Sequence, residues 1–266
     1  MSVRPQSRPL PGGHAGAGGR GPVSTALAAA GAWLVEPAAP APEPVVAAPS
    51  APRPVIAVFG LARGCGATVV ARALAAELAG READGAAAVH CETRAAGIPL
   101  ATPAAGRLAR DLAEVPGTDT RAVGRLCLVA TAAQAALVDT ARHLAPLVLD
   151  AGSTALGGAP AALADRVVLV ATPAVEPALA SVAADCLIRL GHAPLIALNR
   201  AASPGLGERE DPRSRADAAA SGWQSRGGLR LPDSRMGAQL AMGGREARGE
   251  LGRAVGHLAD LCEVPP

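Results

Sequence analysis

From residue 55 onward, short apolar runs alternate with longer segments of helical periodicity. The apolar runs cover residues 55–59, 86–91, 126–130, 147–150, 167–171 and 195–199, with a weaker run at 229–231. Helical patterns cover residues 68–78, 104–112, 133–144, 177–190, 236–242 and 246–261. Strands that alternate with helices in this way pair in parallel and place helical crossovers on both faces of a sheet. The sequence therefore predicts an α/β fold with a doubly wound, mostly parallel sheet.

The start of the chain lacks this alternation and is dominated by Pro, Ala and Gly. A segment of that composition buries too little surface to offset the entropy lost on ordering. We therefore expect residues 1–53 to form a disordered arm and residues 54–266 to form the folded domain. Within the arm, residues 24–35 include Trp33 and are a candidate docking helix, too short for the roughly 20 apolar residues that span a bilayer.

Composition excludes some classes of function. Of the 266 residues, 1% are aromatic, and the net charge is +2, so neither base-stacking platforms nor a strongly basic surface for sequence-specific nucleic-acid binding is expected. The five cysteines are far apart and form no C-x-x-C pair, which favours a reducing cytoplasm over a disulfide or zinc framework. All 25 residues counted as Lys or Arg are arginine.

A glycine-containing segment joins the first predicted strand to the first predicted helix. Residues 60–68 read Gly-Leu-Ala-Arg-Gly-Cys-Gly-Ala-Thr. In phosphate-binding loops, glycines let backbone N–H groups surround phosphate, while a lysine and a Ser or Thr hydroxyl bind the phosphates and Mg²⁺. Here Ala67 stands where that lysine belongs. The simpler alternative is that the glycines only form a tight turn and Thr68 only caps the helix.

Other polar residues follow predicted strands at the edge where doubly wound sheets bind ligands. Asp150 ends one apolar run, and Asn199 and Arg200 end another. Their alternative roles are a loop carboxylate for Asp150 and a turn-closing amide for Asn199.

The joint pattern resembles the MinD/ParA family of deviant Walker ATPases, whose loop reads K-G-G-x-G-K-T. In that register Gly64, Gly66 and Thr68 match, whereas Ala62 and Ala67 replace the two family lysines. Residues 148–152 (Val-Leu-Asp-Ala-Gly), 164–177, 195–200 and 231–233 (Leu-Pro-Asp) are similar to later blocks of the family in the same order. The resemblance is closest to the branch of septum-site and CpaE/TadZ-type pilus-localisation proteins.

The resemblance implies a nucleotide site and its ligands. The implied nucleotide-binding residues are Arg63, Gly64, Cys65, Gly66, Ala67, Thr68, Asn199, Arg200 and Pro232. Thr68 and Asp150 are the implied Mg²⁺ ligands, and the cofactor is ATP or ADP with Mg²⁺, or none. After the second strand the family has an acidic turn that is only partly matched here. Residues 89–93 read Val-His-Cys-Glu-Thr, and Glu92 is the only acidic residue of this segment. No catalytic residue is assigned.

The sequence and the resemblance leave three alternative functions. The first is a pseudo-ATPase or weak nucleotide binder that acts in cell division, partitioning or pilus localisation through protein contacts, with the arm around Trp33 as a tether and a homodimer as a possible assembly. The second is an active Mg²⁺-dependent ATPase in which Arg63 substitutes for the missing lysines. The third is an ATP-dependent ligase of the dethiobiotin-synthetase type. Direct membrane association is not expected, because residues 246–261 lack a basic face.

Overall fold

The computed structural model describes residues 52–91, 106–201 and 228–263. Residues 1–51 of the predicted arm, including the docking segment around Trp33, and Glu92 lie outside these residues. The polar segment 202–227 lies outside them as well. The predictions made for these parts of the chain, including the domain boundary at residue 53, stay predictions.

The described residues form a sheet of eight strands. In chain order the strands are β1 (Val55–Gly60), β2 (Ala86–His90), β3 (Asp119–Val123), β4 (Leu126–Ala130), β5 (Leu147–Gly152), β6 (Arg166–Ala171), β7 (Leu195–Ala201) and β8 (Leu229–Pro232). Their order across the sheet is β3-β4-β2-β5-β1-β6-β7-β8, and only β3 runs antiparallel to its neighbour. The predicted doubly wound, mostly parallel sheet is confirmed.

Helices cover both faces of the sheet. They are α1 (Ala67–Arg81), α2 (Arg107–Ala113), α3 (Gln134–Ala141), α4 (Ala159–Leu163), α5 (Pro177–Arg189), α6 (Arg235–Met242) and α7 (Gly249–Glu263). Side chains of α1, α6 and α7 share one hydrophobic core with alternate residues of the strands. Side chains of α2, α3, α4 and α5 contribute to the cores of the opposite face. The central strand β1 is buried from Val55 to Phe59, as expected for a strand covered on both faces.

Two elements were not predicted from the sequence pattern. Strand β3 lies at the edge of the sheet, and its residues Asp-Thr-Arg-Ala-Val are mostly exposed or half-buried, so it shows no apolar run. Helix α4 has only five residues, which is too short for helical periodicity to be visible. The last predicted helix packs onto the sheet as expected, with Leu251, Val255 and Leu258 buried. No helix among the described residues is long and apolar enough to cross a membrane.

Candidate functional site

The loop between β1 and α1 has the backbone shape that its glycines suggested. Gly64 and Gly66 both have positive φ angles, +77° and +87°, which L side chains rarely adopt. Gly66 is the N-cap residue of α1. Among the described residues, no carbonyl oxygen accepts a hydrogen bond from the backbone N–H of Gly64, Gly66, Ala67 or Thr68. The loop thus presents backbone donors at the carboxyl ends of the strands, beside the start of a helix.

Two side chains of the loop point inward. Cys65 and Ala67 are 3% and 6% exposed. A Cβ atom added to Gly60 would lie 2.6 Å from Cys65 Sγ and 3.3 Å from the Cβ of Ala67, so both side chains pack against the end of β1. Arg63, by contrast, is exposed and forms no ion pair with another described residue. The loop therefore keeps its glycine conformation while carrying no buried or inward-facing cation of its own.

Asn199, at the end of β7, holds the loop from the side. Its Nδ2 donates to the carbonyl oxygen of Cys65 at 2.8 Å, and its Oδ1 accepts from the N–H of Arg200 at 3.0 Å. Asn199 is 8% exposed. Its Nδ2 lies against the place where a Cβ would stand on Gly66, so only glycine leaves room there. The side chain that the resemblance assigns to nucleotide binding thus makes these hydrogen bonds within the protein.

Arg200 and Pro232 lie next to Asn199, at the ends of β7 and β8. The pairing of these two strands shifts register between Asn199 and Ala201, and Ala201 is opposite Pro232. Arg200 is the bulged residue, with φ of +56° and an exposed side chain. The structure therefore brings Asn199 and Arg200 together with Pro232, which was predicted from a separate segment, at the ends of β7 and β8.

Asp150 lies near the carboxyl end of β5 and is buried, with its side chain 4% exposed. His90 lies directly opposite it on the neighbouring strand β2, and its Nδ1 donates to Asp150 Oδ2 at 3.1 Å. The N–H of Gly152, which has φ of +56°, donates to Asp150 Oδ1 at 3.2 Å. Both carboxylate oxygens are thus hydrogen-bonded within the protein.

A buried arginine lies on the same face of the sheet as Asp150. Arg72, on α1, is 5% exposed, and its Nη1 donates to the carbonyl oxygen of Met242 at the end of α6, at 3.0 Å. Burial lowers the pKa of Arg72, and the negative charge of Asp150 opposes that effect. Asp150 therefore has a positive charge within electrostatic reach, supplied by the protein itself.

Sequence reasoning missed His90 and Arg72. His90 ends a predicted strand, so the rule that pointed to Asp150 and Asn199 applied to it equally. Arg72 stood out less, because a buried arginine in an alanine-rich helix cannot be told from a surface one without knowing the packing of α6. Thr68 lies in the first turn of α1 and is half-buried, and its side chain forms no hydrogen bond with another described residue. No cluster of three His, Cys, Asp or Glu side chains suited to a metal occurs among the described residues.

Comparison with known proteins gives a result at the level of structure only. No protein-family model and no curated protein matches the chain. Among solved structures, the MinC:MinD cell division protein complex of Aquifex aeolicus is similar, with a TM-score of 0.56 and 13% identity over 80% of this chain and 97% of that one. The McdA(D38A)–ATP complex of Cyanothece gives 0.55 and 14% identity over 79% and 96%. The ParA family ATPase of Chlorobium tepidum gives 0.52 and 13% over 78% and 98%.

These similarities span nearly the whole of each solved chain. Because the sequence identities are low, the similarities establish the fold and no activity. The chain therefore has the P-loop fold shared by the ParA and MinD ATPases.

Proposed function

We propose that this protein is a pseudo-ATPase or weak nucleotide binder of ParA/MinD-like fold, acting in spatial organisation through protein contacts. The observation that carries the proposal is the state of Asp150, whose two oxygens accept from His90 and Gly152. An aspartate that holds Mg²⁺ has to offer an oxygen to the ion or to its water shell. Each oxygen of Asp150 already accepts one hydrogen bond and has one lone pair left for such a contact, so we expect weaker Mg²⁺ binding than at an aspartate with an unbonded oxygen.

The charges around the loop support the same proposal. Ala67 replaces the lysine that neutralises the phosphates in P-loop enzymes, and its side chain is buried against Gly60. Without that cation and without Mg²⁺, the negative charge that develops on phosphoryl transfer has no strong neutralising partner. Backbone N–H groups at the start of α1 give a smaller stabilisation of ~1 kcal/mol. We therefore expect weak binding of ATP or ADP and no efficient hydrolysis.

A role in protein contacts is supported by the surface and by the similar structures. Four large apolar side chains are exposed on α5 or directly after it, Leu179, Val182, Ile188 and Leu190. Exposed apolar clusters of this kind are common where proteins bind one another. The similar MinD chain was solved as a cell division protein complex with MinC, which makes a division or partitioning role the natural proposal here. A pilus-localisation role, a homodimer and a cytoplasmic location belong to the same proposal.

The alternative is an active ATPase in which Arg63 replaces the missing lysines. Its exposed side chain, next to the free N–H groups of the loop, is the observation in its favour. The test measures phosphate release from ATP with Mg²⁺ by the full chain, beside an Asp150→Ala control. We expect no release above the buffer rate in either protein. Turnover by the wild type that disappears in Asp150→Ala would establish the active enzyme instead.

A variant that restores the lysine tests whether the missing positive charge is the main reason for weak nucleotide binding. Ala67→Lys adds one cation beside the backbone N–H groups of the loop, and urea unfolding checks that the variant folds, because the Ala67 side chain is buried. We expect ATP affinity to rise by about tenfold, since the added charge would lie beside these donors. The matched control is Ala174→Lys, which adds the same charge at an exposed position of the connection after β6, at the same edge of the sheet. Equal gains in both variants would mean that added charge acts only at long range, and would contradict a phosphate-shaped loop.

A further inference from the structure

A concave surface lies at the opposite end of the sheet from the glycine loop. It has a volume of about 500 Å³ and lies between the last turns of α1, the turn joining β3 to β4, and the connection from α6 to α7. We call it the arginine groove, after the three arginines that line it, Arg125, Arg245 and Arg248. None of the sequence motifs pointed to this surface.

The groove owes its concavity to small residues. Ala76, Ala79 and Gly80 of α1 form one wall, and Gly124 and Gly244 lie across from them. Gly244 has φ of +71° and is close to Val123, since an added Cβ would lie 3.1 Å from Val123 Cγ2. Larger side chains at these positions would fill the space. The floor therefore keeps some apolar surface accessible between the charged residues of the rim.

The charges of the rim are unbalanced. The three arginines are exposed, and among the described residues none of them forms an ion pair. Arg125 donates one hydrogen bond, from Nη1 to the carbonyl oxygen of Glu82 at 3.3 Å. Glu246 is the only carboxylate among the groove residues, and its Oε1 lies over Gly80, 2.6 Å from where a Cβ would stand. The groove is therefore positive, with apolar surface beneath the charge.

We propose that the arginine groove binds an acidic segment of a partner protein that also carries apolar side chains. Guanidinium groups pair with carboxylates in a bidentate geometry, and the apolar floor would contact the neighbouring side chains of the same segment. The volume suits a few residues of peptide and exceeds what a single phosphate or sulfate needs. Because the surface is concave, it suits an inserted side chain better than a flat lipid surface. This inference rests on the proposed role in protein contacts and names where one partner binds.

The test measures fluorescence anisotropy of labelled peptides added to the full chain. The probes are an octapeptide of alternating Glu and Leu and its uncharged counterpart of alternating Gln and Leu. We expect the acidic peptide to bind at least about tenfold more tightly, and the variant Arg125→Gln/Arg245→Gln/Arg248→Gln to lose that preference. The matched control, Arg107→Gln/Arg110→Gln/Arg189→Gln, removes the same charge from exposed positions outside the groove and keeps the preference.

Three outcomes would overturn the proposal. Equal loss in both triple variants would mean that only the net charge of the protein matters. Complete displacement of the peptide by millimolar inorganic phosphate would assign the groove to a small anion. Binding to vesicles of anionic phospholipid that disappears only in the groove variant, with no peptide preference, would assign it to a membrane. ATP turnover is measured on the same groove variant. Turnover would overturn the proposed function, and the peptide-binding result would still test the groove by itself.

Discussion

The polar side chains at the two ends of the sheet differ in burial and in hydrogen bonding. At the carboxyl ends of the strands, Asp150 and Asn199 are buried and hydrogen-bonded to His90, Gly152 and the backbone of Cys65. At the other end, three exposed arginines line an open groove without an ion pair among the described residues. At the edge at which this fold ordinarily binds ligands, the side chains of Asp150 and Asn199 are thus hydrogen-bonded within the protein, whereas the groove at the opposite edge presents charged side chains to the solvent. The difference suggests that polar side chains at the first edge contribute to stability and those at the second contribute to binding.

The largest expected effect is at the contact between the loop and Asn199. Gly66→Ala combines a positive φ angle of +87° with a Cβ placed against Asn199 Nδ2, whereas Gly64→Ala has φ of +77° and no atom within 4 Å of the new Cβ. We expect the free energy of unfolding to fall by about 2 to 3 kcal/mol in Gly66→Ala and by about 1 kcal/mol in Gly64→Ala. Urea unfolding measures both values. Similar losses in the two variants would show that Asn199 does not hold the loop as described.

The next effect concerns Asp150. Asp150→Asn keeps the shape of the side chain but removes the negative charge that offsets the buried Arg72. We expect the variant to lose about 2 kcal/mol of unfolding free energy in buffer without nucleotide or metal. The measurement is urea unfolding with a metal chelator present. A gain in stability would indicate that the carboxylate of Asp150 destabilises the fold and serves to bind a ligand. The polar side chains of the two edges would then not differ in role as described.

The smallest effect separates paired from unpaired arginines near the end of α1. Arg81 forms ion pairs with Glu77, Asp260 and Glu263 at 3.0, 2.7 and 3.0 Å and donates to the carbonyl oxygen of Gly256. Burial lowers the pKa of Arg81, but its hydrogen bonds to Asp260 and Glu77 outweigh this and raise it.

We expect Arg81→Gln to lower the free energy of unfolding by about 1 kcal/mol, because it removes the ion pairs that link α7 to α1. In Arg245→Gln, the matched substitution in the groove, we expect a change below about 0.5 kcal/mol. Thermal and urea unfolding of both variants check the difference. A loss in Arg245→Gln as large as that in Arg81→Gln would mean that the groove arginines are structural.

Much of the fold was predictable from the sequence because its strands are short apolar runs. The same rule placed the loop, Asp150 and Asn199 at one edge of the sheet. Strand β3 was not predictable, because an exposed edge strand needs no apolar residues. The pairing of His90 with Asp150 depends on β2 and β5 being neighbours in exact register, which is a property of the strand order. The groove depends on the contact of α1 with the connection between α6 and α7, and no local pattern encodes that contact.

The central claim is that Asp150 and the lysine-free loop do not form a magnesium-nucleotide site. Calorimetric titration of the full chain with ATP and with ADP, each in the presence and absence of Mg²⁺, tests it most directly. We expect any nucleotide affinity to be weak, to change less than about twofold with Mg²⁺, and to be the same in Asp150→Asn. An affinity for ATP that rises by about tenfold or more with Mg²⁺, and loses that rise in Asp150→Asn, would contradict the claim.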